Sequence, residues 1–323
     1  MIKIRKRIFL FAISFTILAA LLYFSDVGKM LEIISKANPL FLVGIFFLWI
    51  LDTVLRTTRW QILLRRIGIK LKFSNAWQIF VSSMFISNLS PAKTGDPMRA
   101  VILKRTEDES FSSSLSSVII ERMMDVVFLI IVALVSITFL FTNLGGMNQW
   151  VYFSIILYAA IIGFGLFIVT SEKRSKIFFT KLFKVFSFIP KVKSYEVKVS
   201  KGSEKLFIAF RKYNHWPTLL SSFTFTAVIW IMQGMTVYLS FKSIGLDVYP
   251  IACVAVIPLT VLIGVMTFLP GALGSSEVIT VTFFTTLFSI TLPQVTAVAM
   301  ISRLLMFWPY IIVGAAIFSA KFK

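Results

Sequence analysis

The chain has 323 residues, of which 58% are hydrophobic and 34 are phenylalanine, and its formal net charge is +19. Its mean hydropathy of +0.88 and recurring apolar stretches of transmembrane length exclude an ordinary soluble protein. They read as all-α: a polytopic transmembrane helix bundle forming a single integral membrane domain over residues 1–323. The basic residues sit between apolar runs, so they exclude nucleic acid as partner and point to topology and anionic lipid headgroups.

The chain opens on Lys3, Arg5, Lys6 and Arg7, followed by an apolar run from Ile8 to Phe24 with no small-x-small cleavage site before Ser25. This reads as a retained first span that starts in the cytoplasm. Residues 25–38 balance Lys29 and Lys36 against Asp26 and Glu32, as expected of an outer loop. A second span over 39–55 returns, and Arg56, Arg59, Arg65, Arg66, Lys70 and Lys72 hold the next loop in the cytoplasm. Arg56, Arg59 and Trp60, followed by Ile62, Leu63, Leu64 and Ile67, suggest a short amphipathic helix at the interface.

Residues 74–90 re-enter from the cytoplasmic side, carry Ser82, Ser83, Ser87 and Asn88, and stop at Pro91. The charges from Lys93 to Glu109 cannot cross lipid as an ordinary span, so a re-entrant hairpin is expected. Residues 117–142 exit, Gly145 and Gly146 turn outside, and 150–170 come back. Residues 171–216 hold twelve Lys/Arg against three Glu, which makes them cytoplasmic. Their phenylalanines at 178, 179, 183 and 186 suggest a basic amphipathic helix on the anionic leaflet. Residues 217–241 exit, and 250–270 enter from outside until Pro270 and Gly274 break them. A second arm over 277–292 and a last span over 294–319 follow, ending at Lys321 and Lys323. Both termini are therefore expected in the cytoplasm of a multi-pass cell-membrane protein. Hydropathy leaves open whether 250–292 is a pair of spans or another hairpin.

The two breaks resemble each other. Pro91 precedes Gly95 in LSPAKTGDPMR, and Pro270 precedes Gly271 and Gly274 in LPGALGSSEVI. Proline removes a backbone donor and glycine loosens the chain, so backbone groups freed at membrane depth must face protein or a water-filled cavity. Two related breaks, approached from opposite faces, are the sequence pattern of an inverted-topology repeat around a central site.

Charges inside apolar segments supply candidate side chains. Glu121, Arg122 and Asp125 open the 117–142 span, with Glu121 and Asp125 one helical turn apart. Glu277 follows Gly274, and Asp96 follows Gly95. Arg303 lies well inside the last span, where an arginine costs about 2.5–3.5 kcal/mol on insertion scales. Arg99, Arg122 and Arg303 could present guanidiniums to a phosphate, with Asp52 as a further partner. Cys253 is the only cysteine, so an intramolecular disulfide and a cysteine metal cluster are excluded. The only histidine, His215, stands beside Trp216 and Pro217 as an interfacial residue. No metal or cofactor is expected, and the sequence contains no Walker loop, HExxH or nucleophile elbow.

RTTRW at 56–60, SPAKTGDPMRA at 90–100, ERMMD at 121–125, LPGALGSSE at 269–277 and the arginine of the last span form an ordered set. Together they resemble the lysylphosphatidylglycerol synthase transmembrane family over nearly the whole chain. The resemblance implies a flippase-like domain that moves an anionic or aminoacylated phospholipid, or another lipid-linked headgroup, between leaflets. It also implies membrane lipids as partners, with a separate synthase or glycosyltransferase as a further one. The chain ends four residues after its last span, without the soluble aminoacyl-transferase domain of bifunctional members, so lysyl transfer is not implied. Two rival readings stand beside translocation: a membrane-embedded transferase with Glu121 or Asp125 as general base, and a scaffold that holds a synthase through residues 171–216.

Overall fold

The computed structural model describes residues 2–91, 93–143, 212–213 and 215–322. The return span expected at 150–170 and nearly all of the basic stretch 171–216 lie outside the described residues. Within them the helices run, in chain order, α1 (Ile2–Phe24), α2 (Val27–Ser35), α3 (Pro39–Arg66), α4 (Phe73–Asn88), α5 (Met98–Glu107) and α6 (Phe111–Asn143). After the undescribed stretch come α7 (Trp216–Ser243), α8 (Pro250–Met266), α9 (Ser275–Phe288) and α10 (Leu292–Ser302). A π-helical turn at Arg303–Phe307 then leads into α11 (Trp308–Lys321). The protein is thus an all-α helical membrane protein.

Among the described residues, α3, α7 and the continuous run Leu292–Lys321 are long and apolar enough to cross a membrane. The first span does not end in a loop, as the charge balance at 25–38 had suggested. Instead α2 follows α1 at a bend of 84°. Asp26 sits at the bend in the left-handed region and its carboxylate accepts the Lys29 amide, while Met30 on the apolar face of α2 is buried.

The second span also differs from expectation. It does not stop at residue 55 to give way to an interfacial helix: α3 is one helix of 28 residues from Pro39 to Arg66. Arg56, Arg59 and Trp60 are not interfacial but buried inside the bundle, at 6%, 0% and 0% exposure. Nothing in this stretch breaks a helix before Gly68. The two arginines are tolerated because carboxylates neutralise them, Arg56 one turn from Asp52 at 2.8 Å and Arg59 against Glu121 and Asp125.

The elements come in two matching sets. α3 and α7 each hold 28 residues and each begin with proline in the first turn, after Asn38 and His215 caps whose side chains accept the Leu40 and Thr218 amides. Each ends in the same Schellman motif. Gly68, at φ 95°, donates to the Arg65 carbonyl and Ile69 to Leu64; Gly245, at φ 78°, donates to Lys242 and Leu246 to Phe241. Each is followed by a short helix, a proline break and a second short helix. The arms α4, α8 and α9 have 16, 17 and 14 residues. A span takes about 20, and none of them is among the helices long and apolar enough to cross. The 250–292 segment is therefore a second hairpin rather than a pair of full spans.

The last helix is interrupted where Pro309 enters it. A helical proline lacks an N–H and crowds the carbonyl four residues back. The chain widens into the π turn ahead of it, with the Trp308 amide donating to the Arg303 carbonyl. That turn begins on Arg303.

Candidate functional site

The tips of the two hairpins meet. Pro91 and Pro270 form an antiparallel backbone bridge. These are the residues the sequence motifs place in correspondence, and equivalent residues paired in antiparallel sense are what a local two-fold axis produces. The turns around them share their first two bonds. Lys93 donates to the Ser90 carbonyl at 3.3 Å and Ala272 to Leu269 at 3.1 Å. Thr94 donates to Pro91 at 3.0 Å and Leu273 to Pro270 at 3.1 Å. Lys93 and Ala272 both lie in the left-handed region, at φ 55° and 51°. The glycines are there for space: a Cβ on Gly95 would stand 2.8 Å from the Ser87 backbone, and one on Gly271 would stand 2.9 Å from the Asn88 carbonyl and 2.7 Å from the Phe307 ring.

Beside the joined tips lies a cavity of about 240 Å³. Among the described residues its charged lining consists of Asp52 and Arg56 from α3, Lys93 and Asp96 from the first break, Arg122 from α6, Glu277 from α9 and Arg303 from the π turn. Apolar side chains of α8, with Trp230, Met306 and Phe307, complete the wall. Irregular backbone and charge are thus gathered where they line a cavity and are kept from lipid.

The guanidiniums facing the cavity are held by carboxylates. Arg303 Nε lies 2.5 Å from Glu277, and the same guanidinium donates to the Ser276 hydroxyl and, at 3.2 Å, to the Ala272 carbonyl. Arg122 meets Asp96 at 3.2 Å, Glu121 at 2.7 Å and Asp125 at 3.0 Å. Each hairpin is thereby tied through the acid that follows its break to an arginine on the helix after it. Asp52 accepts from Arg56 at 2.8 Å, from the Tyr310 hydroxyl at 2.6 Å and from Gln233 at 3.3 Å. The side chains of Arg122 and Arg303 keep 28% and 20% exposure, enough to leave an edge of each open to the cavity.

Behind this wall is a drier charged layer. Arg99 reaches Glu121 with two parallel bonds of 2.9 and 3.0 Å, and its guanidinium lies over the Trp60 and Phe80 rings at 5.4 and 5.1 Å. Arg59 joins Glu121 at 3.0 Å to Asp125 at 2.6 Å, and Asp125 also accepts the Trp230 indole at 3.1 Å. Arg59, Arg99, Glu121 and Asp125 are all essentially excluded from solvent. A layer this enclosed positions Arg122 in front of it, through Glu121 and Asp125.

The sequence candidates therefore divide. Asp96, Arg122, Glu277 and Arg303 come together at the cavity with Gly271. Arg99, expected to offer its guanidinium to a phosphate, does not line the cavity. Both its terminal nitrogens are spent on Glu121, whose own oxygens are taken up by three guanidiniums. Arg56 is a cavity residue, and Arg59 and Trp60 belong to the enclosed layer. Lys93, Gln233 and Tyr310 were missed. Lys93 was read as one of many charges closing a hairpin; its place two residues after the proline was the available signal. Tyr310 and Gln233 carry no sequence signal, because only the packing of α7 and α11 on α3 brings them to Asp52.

Comparison with known proteins places the chain among membrane proteins. The family described as the lysylphosphatidylglycerol synthase TM region matches residues 11–314. A UPF0104 membrane protein of Methanocaldococcus jannaschii is 27% identical over 320 residues, covering 94% of this chain and 91% of its own. One from Methanothermobacter thermautotrophicus is 26% identical, covering 96% and 94%. One from Pyrococcus horikoshii is 21% identical, covering 94% and 93%. Each is described only as a membrane protein.

Proposed function

From the premise that this chain belongs to the lysylphosphatidylglycerol synthase transmembrane family, we propose that it moves lipid headgroups between the leaflets of the cell membrane. The observation that carries the reading is the charged cavity where two short, broken hairpins meet. A headgroup enters the polar cavity, its phosphate meets the open edges of Arg122 and Arg303, and its acyl chains stay in lipid. The pattern of basic loops has the hairpins approached from opposite faces, with both termini cytoplasmic, so one site can open to either side as the hairpins rock. A membrane lipid is thus the immediate partner, and a separate synthase or glycosyltransferase supplies it.

The rival transferase reading needs Glu121 or Asp125 to take a proton from substrate. Glu121 is enclosed among Arg59, Arg99 and Arg122, and Asp125 among Arg59, Arg122 and Trp230. Neither presents an open oxygen at the cavity, which favours translocation over general-base chemistry.

The test is leaflet exchange in proteoliposomes with acyl-chain-labelled lipids, read as loss of fluorescence to an impermeant quencher. Wild-type protein is expected to accelerate exchange, and Arg303→Ala to slow it roughly tenfold or more, the scale of one charged hydrogen-bond set. A wild-type rate no faster than that of Arg303→Ala, across anionic, zwitterionic and aminoacylated headgroups, would defeat the proposal.

A further inference from the structure

The cations around the hairpin tips are not equally committed. Arg56, Arg59, Arg99, Arg122 and Arg303 each have at least one carboxylate partner. The Lys93 ammonium has neither a hydrogen bond nor an ion pair with any described residue, although the side chain is half-buried at the cavity wall. The charge count among the described residues shows the same surplus. Four cations line the cavity there (Arg56, Lys93, Arg122 and Arg303) against three carboxylates (Asp52, Asp96 and Glu277), which leaves one positive charge unmatched. Adding the enclosed Arg59 and Arg99 with Glu121 and Asp125 does not change the surplus.

An unmatched ammonium at membrane depth is costly and persists where it meets a mobile anion. The repeat sharpens this point. The position equivalent to Lys93 in the second hairpin has the same backbone turn but carries Ala272, which also lines the cavity. The turn therefore does not require a lysine. One hairpin places a cation there and the other does not, so the surplus charge has a fixed side.

We infer that Lys93 anchors the ligand of this cavity, and that the cavity selects a phosphate oxyanion with one net negative charge. The inference rests on the translocation reading for the ligand's origin in a lipid headgroup. A phosphodiester whose remaining headgroup is neutral balances the surplus. A zwitterionic headgroup leaves the charge unmatched, and a dianionic phosphomonoester overshoots it. Lysine suits an anchor that must release: its ammonium is a compact charge with three rotatable donors on a flexible stem, where a guanidinium would impose a fixed fork.

Two readouts on the full chain separate this inference from the proposed function. The first is binding, measured as thermal stabilisation in detergent by dihexanoyl phosphatidylglycerol, dihexanoyl phosphatidylcholine and inorganic phosphate. The second is leaflet exchange of the acyl-labelled glycerol and choline phospholipids. In wild type the glycerol lipid is expected to stabilise and exchange more than the choline lipid. Lys93→Gln is expected to weaken its binding roughly tenfold and remove the preference, and Lys93→Arg to retain most of both. Stabilisation by phosphate as well as lipid would show that the oxyanion is recognised without acyl chains. Lys93-dependent binding without exchange would support the anchor and count against translocation. Equal binding of the two lipids, or binding unchanged in a folded Lys93→Gln variant, would overturn the inference.

Discussion

The turns at 90–94 and 269–273 share two backbone bonds and are bridged to each other at their prolines, yet the walls behind them are unlike. Setting Arg122 beside Arg303 places Glu121 beside Ser302, and setting Pro91 beside Pro270 places Arg99 beside Val278. The first half thus backs its hairpin with a buried bidentate ion pair. The second has a valine and a serine at those places, and among the described residues the Ser302 hydroxyl bonds only to Ser240, at 2.9 Å. Behind the second hairpin the core is apolar, built on Phe241, Phe283 and Phe284 with Val281 and Val298. A doubled scaffold needs two matching backbones to form a site at their junction. It needs only one charged half to give that site a sign.

The largest effect should come from breaking the chemistry that only the first half has. Glu121→Ala leaves Arg59, Arg99 and Arg122 facing one another without the carboxylate that joins them. Removing one partner from a buried ionic cluster typically costs about 3–5 kcal/mol, because the charges left behind are uncompensated. The matching change in the second half, Ser302→Ala, removes one hydroxyl bond and should cost about 1 kcal/mol. Denaturant or thermal unfolding of the two variants in detergent checks the contrast. Equal losses would mean that the enclosed ionic layer is no more than packing.

The hairpin ties offer a finer contrast. Among the described residues Arg303 has Glu277 as its single carboxylate, whereas Arg122 has Asp96, Glu121 and Asp125. Glu277→Gln should therefore free the second hairpin far more than Asp96→Asn frees the first. The expected outcome is a several-fold change in leaflet exchange for Glu277→Gln and a change of no more than about twofold for Asp96→Asn, since the surviving pairs of Arg122 keep it placed. The exchange assay decides, and an effect of Asp96→Asn equal to or larger than that of Glu277→Gln would reverse the assignment of the looser half.

Much of this was legible in the residues, for physical reasons that can be named. The prolines and glycines of the breaks state their role directly, because each removes a donor or a Cβ that a continuous helix would keep. Arg303 and the Glu121–Asp125 turn stood out because charge is rare inside apolar segments. The misplacement of Arg56, Arg59 and Trp60 shows where such reading stops. Hydropathy counts an arginine as a boundary whether or not a carboxylate waits across the bundle. The partners of Arg59 lie 62 and 66 residues away on α6, so only packing reveals that α3 runs on. Arg99 was misjudged for the same reason: its charge was visible, but its enclosure by Trp60, Phe80 and Glu121 was not.

The smallest effect tests the shared part of the comparison. Gly68 and Gly245 close α3 and α7 at φ 95° and 78°, and a Cβ at either position would meet nothing within 4 Å. Alanine there creates no clash in either half, so its penalty is only that of placing an L-residue in the left-handed region, about 1 kcal/mol. If the two halves are one backbone design used twice, Gly68→Ala and Gly245→Ala should lose the same stability within about 0.5 kcal/mol and be additive in the double variant. Exchange rates should be unaffected, because both glycines are remote from the cavity lining. Unequal penalties would show that the halves already differ in backbone energetics. Equal ones would locate their difference in side chains alone, with Lys93 against Ala272 as the pair that faces the ligand.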